Sequence, residues 1–300
     1  MALFDFIGVG GLAYDMMLQV DRLPLSDDKY PAQPVEKLPG GFIANATCAA
    51  ARLGLRASFI GWVGDDAEGA MLIEDFIDWH VEPEGVIRLP GEMTPFTLVM
   101  TDSHGGRAIV IPQWPIYDAP LTYEQVALAR QARVVYTYPR DPVWCTQLRR
   151  ATIESGGELA LDVEPSVPLR GDQLREAVAV ADVVFVTKDS LAMLGVSSIE
   201  RLVQPRQWVI LTDGKRGSSG IAGGMRKPVS QKAHPAVAVD TTGAGDASTA
   251  ALAMALGRGE PWLAAVRYAN AAGAITVTRL GAEAAMPTAA EVEGLLSRGG

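Results

Sequence analysis

The sequence predicts an α/β protein with a mainly parallel sheet covered by helices on both faces, carrying a small β-sheet lid. Short, nearly continuous apolar runs alternate with stretches of helical length through most of the chain. Two extended stretches, residues 18–33 and 96–111, break that alternation close to where a ligand would bind. Glycine-rich turns stand immediately before two helix candidates rich in small residues. With 300 residues, 48% of them hydrophobic, and no linker or internal repeat, the chain reads as one domain over 1–300. The lid is expected from insertions at about 13–39 and 92–114.

Taken in order, the strand candidates are 4–9, 58–63, 134–138, 159–162, 183–187 and 208–212. Between them lie helix candidates 45–53, 67–79, 123–131, 143–154 and 173–180. The last third is helical, at 247–256, 262–276 and 290–296, with Gly257 and Gly259 breaking the chain before Pro261 opens a helix. Ser103-His104-Gly105-Gly106 reads as the turn of a hairpin between 97–101 and 107–111. The alternative to a lid is a pair of edge hairpins on the main sheet.

A net charge of −9 argues against a nucleic-acid surface, which needs clustered Lys and Arg. It leaves nucleotides open, because a helix N-terminus binds phosphate without a basic patch. Cys48 and Cys145 are read as two buried thiols rather than a disulfide. His80, His104 and His234 lack ligand-like spacing and are read as surface or loop residues. No apolar run is long enough to span a bilayer, and the N-terminus lacks the marks of a signal peptide, so a soluble, cytoplasmic protein is expected.

The most informative segment is Asp240-Thr241-Thr242-Gly243-Ala244-Gly245-Asp246, which follows a strand-like run at 236–239 and leads into the Ala-rich 247–256. Glycines allow a tight turn into a buried helix whose first N–H groups face outward as an anion site. A carboxylate beside such a site, Asp246, is placed to take a proton from a hydroxyl attacking a phosphoryl group. The plainer account is a helix N-terminus with an ordinary Asp in its first turn.

Polar residues gather at the carboxyl ends of the strand candidates, where open α/β sheets bind ligands. Asp15 follows the first strand and Gly8-Val9-Gly10-Gly11, Arg140 follows 134–138, Asp162 and Glu164 close 159–161, and Thr212-Asp213-Gly214 ends the run at 208–211. Asp162 and Asp213 read equally well as solvated loop residues. Gly40-Gly41-Phe42-Ile43-Ala44-Asn45 enters another helix, and Asn45 offers a sugar both a donor and an acceptor, or else simply caps the helix.

Together these residues resemble the ribokinase-like (PfkB) carbohydrate kinase family over nearly the whole chain. The resemblance rests on Gly40-Gly41 with Asn45, Ala51-Arg52-Leu53-Gly54, Ile60-Gly61-Trp62-Val63-Gly64-Asp65-Asp66 with Gly69, Gly106-Arg107, and above all the segment 240–246. No Gly-x-x-x-x-Gly-Lys-[Ser/Thr] loop is present, which excludes the P-loop kinases. The resemblance implies a three-layer α/β/α core with a β-lid, ATP with Mg²⁺, and transfer of the γ-phosphoryl group to a sugar hydroxyl. It makes Asp246 the base and the N–H groups of Gly243, Ala244 and Gly245 the anion hole. It gives the sugar to Asp15, Gly41, Asn45 and Arg140, and the nucleotide to Lys188, Thr212, Gly214, Gly217 and Asn270. Asp240 and Thr242 would border a monovalent cation such as K⁺, and the lid would pair two subunits.

One departure concerns magnesium. Where many members carry Asn-x-x-Glu, this chain has Thr187-Lys188-Asp189-Ser190, similar to the Ser-Lys-Asp version of ketohexokinases. Arg140 falls where ketohexokinases and sulfofructose kinases place a substrate-facing arginine, which favours a ketose or an acidic sugar. Phe42 departs from the ketohexokinase pattern. A nucleoside kinase is the alternative, with Phe42, Phe96 or Trp114 stacking on a base or else packing in the core and lid. A sugar-binding regulator without catalysis would not need Asp246.

Overall fold

The computed structural model describes residues 2–298 apart from 30, 34, 35, 103 and 105. In chain order the elements are β1 (Phe4–Val9), β2 (Ala13–Val20), β3 (Glu36–Gly40), α1 (Phe42–Arg52), β4 (Ala57–Gly64), α2 (Ala67–Asp78) and β5 (Val81–Leu89). There follow β6 (Phe96–Asp102), β7 (Arg107–Val110), α3 (Tyr123–Ala129), β8 (Ala132–Thr137), α4 (Pro142–Ser155), β9 (Glu158–Val163) and α5 (Gly171–Ala179). The chain continues through β10 (Val183–Val186), α6 (Lys188–Met193), β11 (Trp208–Thr212), β12 (Ser218–Ala222) and β13 (Val229–Gln231). It ends with α7 (Ala244–Gly257), α8 (Trp262–Thr276) and α9 (Ala289–Arg298).

The main sheet runs in the order β13-β12-β11-β10-β9-β8-β1-β4-β5. It is parallel from β11 through to β5, and β12 and β13 add an antiparallel edge. Because strand side chains alternate between faces, Phe6 and Ile7 enter different cores. Phe6, Phe59, Tyr136 and Phe185 pack with the alanines of α1, α7 and α8. Ile7, Ile60, Val135 and Val184 pack with Trp144, Leu148, Leu174 and Ala177 from α4 and α5. The three-layer expectation holds. The chain builds outward from β1 to β4 and β5, then returns to β8 on its other side, so the strand order reverses at β1 and β8. Ligands of open α/β sheets collect at such a reversal.

A second sheet, in the order β3-β2-β6-β7, joins the two insertions. Tyr14 through Val20 pair in parallel with Phe96 through Asp102, which rules out independent edge hairpins. Within the first insertion, however, β2 ends at Val20, and the described residues from 21 to 33 carry no strand. Of the expected turn at 103–106, Ser103 and Gly105 lie outside the described residues.

Other differences have local causes. β5 escapes a reading by hydrophobic runs because Pro83, Gly85 and two glutamates interrupt it; as an edge strand it tolerates all four. The run 236–239 is not a strand. α1 begins at Phe42, with Gly41 rather than Asn45 at its N-cap, so Asn45 is a buried residue inside the helix and does not cap it. α6 starts directly after β10, where a Thr187–Ser190 capping box supplies the start signal.

Candidate active site

α7 begins in the expected turn. Gly243 is its N-cap at φ 74, a left-handed conformation that favours glycine, and a β carbon there would lie 3.1 Å from Ala282 Cα. Gly245 has open space where its side chain would be, so its backbone can be approached from outside. The Ala-rich body of α7 packs against α1 and α8 and reaches β1 and β8, which sets its N-terminus over the strand reversal.

Asp246, in the first turn of α7, meets Asn45 of α1 across 201 positions of sequence. Asn45 Nδ2 donates to Asp246 Oδ2 at 3.0 Å. Asn45 is only 8% exposed, and its Oδ1 has no protein partner. Asp246 keeps part of its surface open but is enclosed by protein on most sides. Burial pushes its carboxyl up to about 7, the Asn45 hydrogen bond pulls it back, and the charge of Glu164 raises it again. Asp162, buried beneath, accepts from the Tyr136 hydroxyl and is pushed well up by burial, then by the charges of Glu164 and Asp246. The ends of β9 and α7 therefore share one acidic neighbourhood.

The lid brings Asp15 and Arg107. Asp15 lies on β2 opposite Leu38, its carboxyl group in the space a side chain at Gly40 would occupy, 2.9 Å from that β carbon position. Burial lifts it to about 6, against the pull of Arg107. Gly41, at φ 101, presses its missing side chain to 3.1 Å from Gly11 O, which closes the β1–β2 loop onto the start of α1. From β7, Arg107 Nη1 donates to Thr242 Oγ1 at 2.8 Å. Thr242 donates in turn to Asp240 Oδ1 through its hydroxyl at 2.7 Å and its N–H at 2.9 Å, while Gly281 N–H holds Asp240 Oδ2 at 3.0 Å. Burial raises the Asp240 carboxyl, but these donors more than offset it and keep the group below its usual range.

The five expected nucleotide residues form two groups. Lys188 Nζ pairs with Asp213 at 2.9 Å beyond the ends of β10 and β11, beside Thr212 and Gly214. Arg216 also forks onto Asp213, with both bonds at 2.6 Å, and holds its carboxyl down to about 2. Asn270 of α8 donates to the carbonyls of Gln231 and Lys232, each at 3.2 Å, and accepts from Ser218. Gly217, just before Ser218, has φ 95 and no room for a side chain against Gln231.

Arg140 is not drawn toward Asp15 or Asp246 by any contact among the described residues. Its guanidinium donates to Ala119 O at 3.2 Å, pairs with Asp118 at 3.5 Å and lies over the Trp144 ring at 5.4 Å. Two surface clefts of about 530 and 430 Å³, between α3 and α4 and between α8 and α9, lie on the outer helices away from Asp246. The sequence places Glu164 among the polar residues of the binding face and Arg107 in the family match, but assigns neither a specific role. The signal available was position, since Arg107 follows the lid turn and Glu164 follows β9.

The pfkB family carbohydrate kinase model matches residues 7–289. Fructokinase-1 of Oryza sativa subsp. japonica is 31% identical, with 95% of each chain covered. An ATP-dependent ribose-1-phosphate kinase of Halopiger xanaduensis is 32% identical, with 97% of each covered. Among solved structures, Arabidopsis thaliana ribokinase complexed with ribose and ATP superposes with a TM-score of 0.86 at 27% identity, covering 99% of both chains. With a glycine-bounded helix N-terminus, a carboxylate beside it and a lid reaching across, the chain belongs to the PfkB family of carbohydrate kinases and is an ATP-dependent sugar kinase.

Proposed function

We propose that Asp246 removes the proton from an acceptor hydroxyl as that oxygen attacks the γ-phosphoryl group of ATP. The first N–H groups of α7, at Gly243, Ala244 and Gly245, receive the charge that develops on the transferred group. The Asn45–Asp246 pair carries this reading. A buried oxygen without a donor costs about 1–3 kcal/mol, and an acceptor hydroxyl beside Asn45 Oδ1 relieves that cost while standing next to the base. A carboxyl near 7 is half deprotonated at neutral pH and still basic enough to work.

Asp15 and the backbone at Gly41 hold further hydroxyls. Arg140, on which the preference for a ketose or an acidic sugar rests, steadies the wall behind them through Trp144. Lys188, Thr212, Gly214, Gly217 and Asn270 form the nucleotide side. Thr187 and Ser190 bond to each other as a cap, so the position of the family's Asn-x-x-Glu offers Mg²⁺ no buried carboxylate, and no step is assigned to the metal there. The ionised Asp240 carboxylate and the Thr242 hydroxyl suit a K⁺ ion, which would steady the loop before α7. Ile109, Val110 and Ile111 are about half exposed on the lid's edge strand and beyond it, a surface suited to pairing with a second lid in a homodimer. No helix among the described residues is long and apolar enough to cross a membrane. With two buried free thiols, the chain fits work in the cytoplasm.

An ADP-release screen over ketoses, aldoses, acidic sugars and nucleosides, with Asp246→Asn as control, tests the proposal. Acceptor-dependent release in the wild type alone is expected. Equal release from both proteins would remove Asp246 from the chemistry.

A further inference from the structure

One helical turn beyond Asn45, three ionisable side chains that phosphoryl transfer does not use converge from separate parts of the chain. Cys48 comes from α1, Asp75 from α2, and Glu283 from the helical turn at Glu283–Ala285. Cys48 Sγ lies 3.5 Å from Glu283 Oε1, and one atom from each of the three lies within 4.8 Å of the others. Cys48 is sealed and Glu283 is 8% exposed, whereas Asp75 keeps part of its surface open to solvent.

Among the described residues, no Lys, Arg or His neutralises this cluster. Glu283 and Cys48 feel mainly each other and Asp75, with Asp15 adding to the field at Glu283 and Asp78 to that at Asp75. Arg52, one turn past Cys48, is committed elsewhere. Its Nε donates to Met286 O at 3.0 Å, and its guanidinium lies over the Trp79 ring at 5.3 Å. Buried carboxylates and thiolates are ordinarily paired with a cation or bound to a metal. Here burial and mutual repulsion keep the thiol and the Glu283 carboxyl protonated, and a metal ion would displace those protons.

The donor set selects the kind of ion. Mg²⁺ and Ca²⁺ seek six or more oxygens, which one sulfur and two carboxylates do not supply. A thiolate with two carboxylates suits Zn²⁺, which binds sulfur at about 2.3 Å and oxygen at about 2.0–2.2 Å. Tetrahedral bonds of those lengths set a sulfur and an oxygen ligand about 3.6 Å apart. Cys48 and Glu283 already stand at that separation.

We propose that Cys48, Asp75 and Glu283 bind Zn²⁺, with water entering from the open side of Asp75 to complete the shell. The ion clamps α1, α2 and the segment after Gly281 together. Asn45 precedes Cys48 by one turn, and Gly281 N–H holds Asp240 Oδ2, so the clamp backs both the Asn45–Asp246 pair and the loop before α7.

Titration of Co²⁺, a spectroscopic substitute for Zn²⁺, into EDTA-treated and dialysed wild type tests this without turnover. A single ion per chain should bind with the charge-transfer absorption of a cobalt–thiolate bond, and Zn²⁺ should displace it and raise the melting temperature. The carboxylates at Asp240 and Asp246 offer no sulfur and cannot produce that band. Cys48→Ser should abolish the band and weaken Co²⁺ binding about 100-fold, the upper end of what losing a residue that merely orients a ligand costs. Cys145→Ser should leave both unchanged. Asp75→Asn alters a partly exposed position, so it tests the site if the Cys48 variant does not fold. It should weaken binding while keeping the thiolate band at saturation. Absence of that band in the wild type overturns the proposal, as does its survival in Cys48→Ser or undiminished binding in Asp75→Asn.

Discussion

Arg107 Nη1 on β7 lies 2.8 Å from Thr242 Oγ1 in the loop that begins α7, so the small sheet and that loop are joined by one hydrogen bond. That bond continues through Thr242 to Asp240 and Gly281. Any movement of the small sheet would therefore act on the loop before α7.

Arg107→Ala should loosen that link. We predict turnover lowered about tenfold or more, the scale of one hydrogen bond to a charged group. Hydrogen exchange of 96–102 and 107–110 on acceptor binding should also lose its protection relative to wild type. Unchanged protection of the hairpin in the variant would show that the lid closes independently of Thr242.

The pH profile reports on Asp246. As the proposed base, its carboxyl must be deprotonated to act, so kcat/KM should rise with pH through about 7 and level off above it. Asn45 donates to the charged form and holds this value down. Asn45→Ala should therefore move the limb to higher pH, while Asp246→Asn should flatten it and lower turnover by about 10²–10⁴-fold. A limb that stays in place in Asn45→Ala would assign it to another group.

Gly243 and Gly245 should fail differently. Gly243→Ala places a β carbon on a left-handed residue 3.0 Å from Met286 Cε, so its melting temperature should fall. Gly245→Val points into open space, so folding should hold, while turnover falls about 10²–10³-fold as phosphate is crowded from its donors. Full activity in a folded Gly245→Val protein would refute a phosphate approach at that residue.

Glu283 should make stability pH-dependent. Burial first, then the charge of Asp75 and a hydrogen bond with it, push its carboxyl up to about 8, against a hydrogen bond from Cys48. A carboxyl that stays protonated in the folded chain, but ionises near its usual 4.5 when unfolded, stabilises fully below about 4.5. That contribution is lost progressively as pH rises from there through about 8. Scanning calorimetry between pH 5 and 9 should show Glu283→Gln, which never ionises, gaining on wild type as pH rises. Parallel curves would mean that Glu283 is charged in the folded protein.

The chain's local patterns were enough to specify much of this molecule. Parallel strands buried on both faces require apolar runs, so β1, β4 and β8 to β11 were legible, as was the glycine turn before α7, because backbone conformation constrains residue type locally. Edge strands carry no such demand, and β5 and β13 went unread for that reason, while β12, paired on both sides, went unread because Ser218, Ser219 and Gly220 make no apolar run. Tertiary structure alone decided which distant residues meet. Nothing local in Asn45 distinguishes a helix cap from a partner of Asp246, and close packing of the small residues of α1 and α7 makes that choice. Nor does Arg140's place after β8 reveal that Asp118, Ala119 and Trp144 occupy its guanidinium, or Arg107's that it reaches Thr242. Long, flexible side chains are committed by whatever the fold brings within their reach, which only the assembled sheets and helices determine.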